Sequence, residues 1–429
     1  MSLPDQQIDF TPEFQAILDA VDNTITPIFI TGVAGTGKST LLRHFRDNTK
    51  RSAVFLAPTG VAALNVSGQT IHSFFRFPSR FITSQDVRRL DKKQELFKNL
   101  TTVVIDEISM VRADMIDAID ISLRLNCNEP DLPFGGRQIL MFGDLFQLPP
   151  IIEPELEAYF NDNYETPYFF SARVFEHHAM ETMNLTRIFR QRDPEFLSLL
   201  NKMRVNEITG VDLKAINSRV VKEVDYDVVH GNSKTVITLT ATNARAADIN
   251  QKQLSKLKSE SYTFYADISG DFDYQSYPTD KELTLKAGAQ VMLLRNDAMW
   301  VNGTLCTISD IGDNFIEVQL DDGSKHSVRR VVWEKIDYDY NPADRSIEPT
   351  VVGKFTQYPL KLAYGLTIHK VQGLTFDDVV IDLGRGAFAH GQTYVAFSRC
   401  RTIEGIKLLT PIRINDIIVD HRLIAYGYR

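Results

Sequence analysis

Residues 32–39 read G-V-A-G-T-G-K-S. Three glycines at this spacing let the main chain close around an anion, and a lysine and a hydroxyl follow where a helix would begin. The run lies between an apolar stretch, Pro27–Thr31 (P-I-F-I-T), and a helix-like stretch, S-T-L-L-R-H-F. Strand, glycine loop and helix form the setting in which this spacing cradles nucleotide phosphates. The main chain from Gly32, Val33, Ala34, Gly35, Thr36 and Gly37 into Thr40 would line them. Lys38 would offset charge on the β- and γ-phosphates, and Ser39 would ligate Mg2+.

A phosphate site of this kind needs a second metal anchor at the end of a neighbouring strand. The run V-V-I-D-E (103–107) supplies one. Asp106 would hold Mg2+ and Glu107 would polarise the attacking water. A third strand end, M-F-G-D-L-F-Q-L-P-P (141–150), places Gln147 where ligands bind in open α/β sheets, although an amide there can equally stabilise a turn. Near the start of the chain, Thr11 is a plausible N-cap with Pro12 behind it, and Gln15 on that helix could read adenine or simply face water. Arg190, in N-L-T-R-I-F-R-Q, and Arg399, in Y-V-A-F-S-R-C-R, are candidate arginine fingers; an ordinary ion pair is the plainer reading of each.

These residues need elements to hold them. Pro27–Thr31, Ala53–Ala57, Thr102–Asp106 and Gln138–Phe142 are short and nearly all apolar, as strands covered on both faces are. Alternating with helical stretches, they predict a parallel sheet with βαβ crossovers. A second α/β pattern begins at Thr235–Thr240 with a helix over about 245–257. It breaks off at residues 258–355, a turn-rich stretch of short strands: Gln290–Leu294, Leu305–Ile311, Phe315–Leu320 and Ser327–Val332. Asp322-Gly323 signals a hairpin. This stretch is expected to be a small antiparallel β-barrel. The α/β pattern resumes with Leu360–Tyr364 and Val379–Leu383.

The chain has 429 residues, room for roughly three domains. Its 43% hydrophobic and 24% charged content excludes disorder as the main state. Cys127, Cys306 and Cys400 lie too far apart for a disulfide framework or a zinc set, and fit a reducing compartment. No secretory signal is visible in Met1–Phe10 and no apolar run is long enough to span a membrane, so a cytoplasmic protein is expected. A net charge of −8 argues against non-specific coating of nucleic acid, while allowing a local basic channel. Residues 72–100 carry a local charge of +4 from Arg76, Arg80, Arg88, Arg89, Lys92, Lys93 and Lys98 against Asp86, Asp91 and Glu95. A solvated helix face would look the same.

In this order, the motifs resemble the Pif family of 5′-to-3′ DNA helicases, a B-type branch of superfamily one similar to RecD and Dda. The resemblance rests on G-V-A-G-T-G-K-S, A-P-T-G-V-A-A (57–63), T-I-H-S-F-F (70–75), V-V-I-D-E-I-S-M (103–110), P-F-G-G (133–136), F-G-D-L-F-Q-L-P-P, L-T-R-I-F-R-Q (185–191), T-A-T-N (240–243), L-T-I-H-K-V-Q-G (366–373) and V-A-F-S-R-C-R (395–401). It implies two RecA-like P-loop NTPase lobes: residues 1–71 with 101–185, and 186–257 with 356–429. Residues 72–100 would be a wedge inserted in the first lobe, and 258–355 the barrel inserted in the second.

By motif, ATP and Mg2+ bind between the lobes. Lys38, Ser39 and Asp106 hold phosphate and metal, and Glu107 is the catalytic base. Gln147, Arg190 and Arg399 reach the γ-phosphate, Gln15 reads adenine, and Gln372 and Gly373 couple the nucleotide to DNA. Single-stranded DNA would touch Thr59, Gly60, His72 and Phe74 on the first lobe and Thr242, Asn243, His369 and Lys370 on the second; a core role is the other reading of Phe74, Phe75 and Phe77, and as good a one for Phe75 and Phe77. The implied partner is single-stranded DNA on a 5′-tailed or structured duplex, and a monomer suffices. G-quadruplex unwinding, DNA repair, recombination and telomere maintenance come with the resemblance and from no residue. Two alternatives keep the P-loop: a DNA-dependent translocase with little unwinding, and a small-molecule phosphotransferase.

Overall fold

The computed structural model describes residues 11–78, 81–191, 193–224, 235–341 and 346–427. Arg80 and the Met1–Phe10 segment lie outside them. Six parallel strands make the first sheet, in the order Gln69–Thr70, Ala53–Ala57, Thr102–Ile105, Gln138–Phe142, Ile28–Gly32 and Glu181–Leu185. The four central strands are the four apolar runs, and helices cover them. The two edge strands were not legible. One has only two residues, and the other, E-T-M-N-L, is polar and mostly exposed.

The helix Pro12–Asn23 forms as its sequence demands, with the Thr11 hydroxyl accepting from Phe14 N–H at 3.2 Å and Pro12 in the first turn. Its buried face, Phe14, Ile17 and Val21, joins Leu41, Leu42 and Phe45 of the P-loop helix Lys38–Asn48 in one apolar cluster beside the sheet. That packing fixes the loop between strand and helix.

The second sheet is also parallel, ordered Gly365–Thr367, Ile237–Thr240, Val379–Asp382, Ile406–Leu408. One expectation is corrected here. Leu360–Tyr364 does not belong to this sheet; Leu360–Leu362 pairs antiparallel with Gln290–Leu293, and the chain enters the second sheet only at Gly365. An apolar run carries no mark of which sheet it will join.

The inserted stretch is antiparallel, as read, but a closed barrel is not what its ladders show. Five strands lie in the order Lys325–Val328, Ile316–Gln319, Leu305–Ile311, Gln290–Leu293, Leu360–Leu362, and among the described residues the two end strands do not pair. The turn at Asp322-Gly323 forms, with Gly323 at φ +83°. The expected strand Ser327–Val332 is two strands, broken at Arg329–Arg330. The second half begins a long hairpin, Val331–Asn341 with Ser346–Gln357, which takes Asp267–Gly270 as a third strand.

Within 72–100 the described residues form the short helices Ile71–Phe75 and Gln94–Asn99 with two 3-10 turns between them. Phe74, Phe75, Phe77 and Phe97 are buried in the large core cluster. The P-F-G-G element is a packing device. Gly135 sits at φ +60°, and a Cβ there would meet the Leu123 carbonyl oxygen at 2.6 Å. The neighbouring Phe134 N–H donates to Asp120 on the helix Ala113–Cys127. No described helix is long and apolar enough to cross a membrane.

Candidate active site

The P-loop lies at the end of Ile28–Gly32, and Gly37 caps the following helix at φ +88°, a left-handed conformation that a side chain disfavours. The Phe14 ring stands against Gly37, leaving 3.0 Å for a Cβ. Lys38 Nζ donates to the carbonyl oxygens of Gly32 at 2.6 Å and Val33 at 3.1 Å. Burial pushes its pKa down, against the pull of Asp144 and Glu107. The Thr36 hydroxyl donates to Val33 O, so the loop is braced from within. Ser39 and Thr40 lie exposed at the start of the helix.

Asp106 and Glu107 follow the strand Thr102–Ile105. Burial raises both carboxyl groups, and the charge of Asp106 raises Glu107 further. Glu107 itself is left-handed, at φ +50° and ψ +43°, a strained conformation for a residue with a side chain and one that clusters at functional sites. Two adjacent, half-buried carboxyl groups thus face Lys38, whose ammonium already serves two carbonyls, with Arg399 acting on Glu107 as well. That surplus of negative charge, with the Ser39 hydroxyl nearby, is a donor set suited to Mg2+. Ser39 and Asp106 would hold the ion, which would offset phosphate charge.

From the second sheet comes Gln372. Its Nε2 donates to Glu107 Oε2 at 3.0 Å and to Gln147 Oε1 at 3.1 Å. Three residues picked from three separated motifs therefore meet in one hydrogen-bonded group. Gln147 in turn donates to Asp144 at 3.3 Å. A cleft of about 600 Å³ runs past Ser39, Asp106, Glu107, Gln372 and Gly373 toward the inserted strands at Trp333.

Both arginines lie behind the wall of this cleft, bonded to the carbonyls of Gly373 and Leu374 that line it. Arg190 donates to the carbonyls of Ser398 at 3.4 Å and Gly373 at 3.1 Å. A Cβ on Gly35 would meet Arg190 Cβ at 2.5 Å, so the P-loop and the arginine segment lie in direct contact. Arg399 is only 1% exposed and donates to the carbonyls of Val395 and Leu374 and to the Ser398 hydroxyl. None of these acceptors is a carboxylate. Burial lowers both guanidinium pKa values, and each arginine's charge bears on its surroundings: Arg399 lowers Arg190 further. A buried guanidinium held only by neutral acceptors retains its capacity for an anion.

The remaining candidates are scattered. Gln15 is exposed and donates to Asp19 at 2.8 Å within its own helix. Thr59 and Thr242 cap the helices Gly60–Asn65 and Asn243–Lys256, with Asn243 exposed beside Thr242. His369 is half-buried, its pKa pushed down by burial, and Lys370 is exposed. His72 is half-buried, and burial and Arg112 lower its pKa. Two candidates are not free to touch DNA in this arrangement. Gly60 is covered by Ser276, whose Oγ would lie 2.6 Å from an added Cβ. Phe74 is fully buried, edge-on to Phe75 and Tyr338, so its stacking on a base is corrected to a core role here.

Reading the sequence missed Asp144 and Tyr394. Asp144 is buried among Gln147, Arg204 and the Tyr394 hydroxyl. It stands inside the quoted strand-end motif, three residues from Gln147, and that place was its only signal. Gln191, which donates to the carbonyls of Ser398 and Cys400, was also missed.

Comparison with known proteins places the chain in one family. A model of the PIF1-like helicase matches residues 7–211, and a model of the DNA helicase Pif1 2B domain matches 274–311. The chain is 31% identical to the ATP-dependent DNA helicase Pif1 of Bdellovibrio bacteriovorus, over 99% of this chain and 93% of that one. It is 31% identical to the human ATP-dependent DNA helicase PIF1 over 95% of this chain, and spans 62% of the human protein. The unliganded structure of Pif1 from Bacteroides sp. superposes with a TM-score of 0.89 at 37% identity, covering 98% of this chain and 96% of that one. The same helicase in complex with ADP-AlF4 gives 0.87 at 36% identity, covering 97% and 96%. Bound to single-stranded DNA it gives 0.70 at 37% identity, covering 97% and 96%. At equal identity the unliganded relative fits better, so the arrangement described here is closer to that one.

Proposed function

Since this chain belongs to the PIF1-like helicase family, it is an ATP-dependent DNA helicase, and we propose that it moves 5′-to-3′ on single-stranded DNA through the residues assembled at the cleft. The observation that carries the assignment is Gln372 bridging Glu107 and Gln147. Gln372 follows His369 and Lys370, the second-lobe DNA candidates, by three and two positions. A shift of that segment on DNA is felt at once by the base and the γ-phosphate amide.

Each side chain has a task its surroundings suit. Lys38, Arg190 and Arg399 supply positive charge where charge grows on the transferring phosphoryl group. Glu107, its pKa raised by burial, is matched to taking a proton from the attacking water near neutral pH. Gln15 lies close to the loop through Phe14 and contacts the base. Thr59, Thr242, Asn243, His369 and Lys370 grip the DNA backbone. Gly60 and His72 join them once the Ser276 turn and the hairpin move off the first lobe; the better fit to the unliganded relative supports that order of events. The exposed part of 72–100 separates the strands. Three buried free thiols support a reducing, cytoplasmic setting.

The test is hydrolysis of ATP with and without single-stranded DNA, with Lys38→Ala as blank, followed by unwinding of tailed duplexes. DNA should stimulate hydrolysis strongly and 5′-tailed duplexes should open. Unwinding confined to 3′-tailed duplexes overturns the polarity. Hydrolysis indifferent to DNA overturns the coupling.

A further inference from the structure

Tyr394 is buried, 4% exposed, on the helix Gln392–Ser398 that leads directly into Arg399. Its hydroxyl stands between two groups of the other lobe. It accepts from the P-loop amide of Ala34 at 3.2 Å and donates to Asp144 Oδ2 at a longer 3.4 Å. Asp144 also accepts from Gln147 and Arg204, so Tyr394 closes a polar network that runs Ala34, Tyr394, Asp144, Gln147, Gln372, Glu107. The helix can come this near because Gly391, at φ +69°, has no side chain to strike the carbonyls of Phe146 and Gln147.

Amides of a P-loop are the groups that bind phosphate. Ala34 stands four residues before the lysine that opens the helix, on the side of the loop that faces the second lobe. The outermost phosphate is the one that would face the second lobe and its arginines, so it is the one that would reach this amide. An amide hydrogen serves one strong acceptor at a time, so phosphate and tyrosine hydroxyl compete for it.

We infer that Tyr394 is a positioning residue that distinguishes a triphosphate from a diphosphate: its hydroxyl holds the Ala34 amide, a terminal phosphate displaces it, and the helix bearing Arg399 moves in response. The inference deepens the ATPase reading and rests on it. No covalent step is involved. The hydroxyl keeps its proton, still donated to Asp144, while the Ala34 N–H changes acceptor.

The experiment measures binding of ADP and of the non-hydrolysable triphosphate AMPPNP, both with Mg2+, to the full chain by calorimetry. Tyr394→Phe removes the competing acceptor, and with it the longer donation to Asp144. AMPPNP should bind about fivefold more tightly, the worth of one ordinary hydrogen bond, with ADP little changed. In turnover, KM for ATP should fall together with kcat, since the finger helix loses its tie to the loop. A second measurement needs no variant at Tyr394. The 15N resonance of the Ala34 amide, assigned through Ala34→Gly, should shift with AMPPNP and hardly with ADP. An unchanged AMPPNP-to-ADP ratio in Tyr394→Phe, or equal shifts of the Ala34 resonance with both nucleotides, overturns the inference while the ATPase reading stands. A parent protein that binds neither nucleotide overturns both.

Discussion

Two regions of this molecule bury charge, and they do so in opposite ways. Beside the cleft, Arg399 and Arg190 are held by carbonyls and a hydroxyl, and Asp106 and Glu107 crowd together with no cation in hydrogen-bond contact among the described residues, only the fields of Lys38 and Arg399. Where the hairpin meets residues 72–100, the charges find opposite partners. Asp337 pairs with buried Lys93 and, at 2.7 Å, with Arg76, while Lys93 also donates to Tyr338 O. Burial pushes Asp337 up, but Lys93 and Arg76 outweigh it and hold the carboxyl below its usual range. Next to them the Tyr338 hydroxyl accepts from Phe55 N–H of the first sheet. A contact that only has to hold together is electrostatically complete. A contact that has to work on a polyanion keeps charge in reserve, at a cost in stability.

The largest effect expected from this contrast is chemical. Glu107→Gln keeps the shape of the side chain, and its amide oxygen can still accept from Gln372. Only the charge and the basicity go. Hydrolysis should fall about 10²- to 10⁴-fold, the usual worth of a general base, while ATP and DNA still bind. Steady-state kinetics beside an equilibrium binding assay checks this. In the parent, kcat should rise with pH through a value above that of an ordinary carboxylate, because the base must lose its proton and its pKa is raised. Normal turnover in the variant would place the base elsewhere.

Next in size is Asp337→Ala, which leaves Lys93 buried without its carboxylate. Breaking a buried pair from one side costs about 3 kcal/mol or more. The thermal midpoint should drop clearly, and adding Lys93→Met should restore most of it, since an apolar replacement removes the orphaned charge. A loss no greater than that of an exposed ion pair would erase the difference between the two regions.

Acid should act on the lobe contact. His390 is buried with both ring nitrogens engaged: Nδ1 accepts from Asp420 N–H and Nε2 lies 3.0 Å from Leu145 O. Burial lowers its pKa, although Asp420 and Asp144 pull the other way. The unfolded chain, with an ordinary value of about 6.5, then binds the proton more readily than the native one. Stability is therefore full above that pH and is lost as pH falls. Replacing the group with His390→Gln should flatten the dependence between pH 5.5 and 7 by at most about 1.4 kcal/mol per unit. Asp106 and Glu107 work with the opposite sign, because their raised pKa values favour the native state as pH falls. Denaturation curves at several pH values separate the two; an unchanged slope in the variant would place the acid sensitivity outside His390.

The contrast also explains what could be read from the chain. Lys38 with its glycines, or Asp106 with Glu107, are neighbours in sequence, so their chemistry is spelled out locally. The four central strands of the first sheet follow from apolar runs for the same reason, whereas the sheet that Leu360–Leu362 joins does not. Lys93 and Asp337 are 244 positions apart and Arg76 is 261 from Asp337. Nothing in a stretch with a charge of +4 tells which lysine will be buried by a hairpin elsewhere. Phe74 was ambiguous for the same reason, because the Tyr338 that covers it belongs to that hairpin. Tyr394 was missed because an aromatic in a largely apolar helix looks like core, and its significance lies in which amide its hydroxyl meets.

The smallest effect on stability tests the rest of that basic stretch. Arg88, Arg89 and Lys92 are exposed, unlike Lys93. If 72–100 divides into a structural half and a DNA-facing half, these three belong to the second. Replacing all of them with alanine should move the unfolding free energy by no more than about 0.5 kcal/mol, as surface changes do. The same variant should bind DNA with a shallower salt dependence, losing a slope of about 0.7 for each single-strand phosphate contact removed. Unwinding of a 5′-tailed duplex should suffer more than DNA-stimulated hydrolysis, because charge at a strand junction matters for separation and little for turnover. Equal loss of unwinding and hydrolysis would assign the exposed residues to the grip on single strands. An unchanged salt slope would leave residues 72–100 as a docking site for the hairpin alone, with the buried ion pair as its whole purpose.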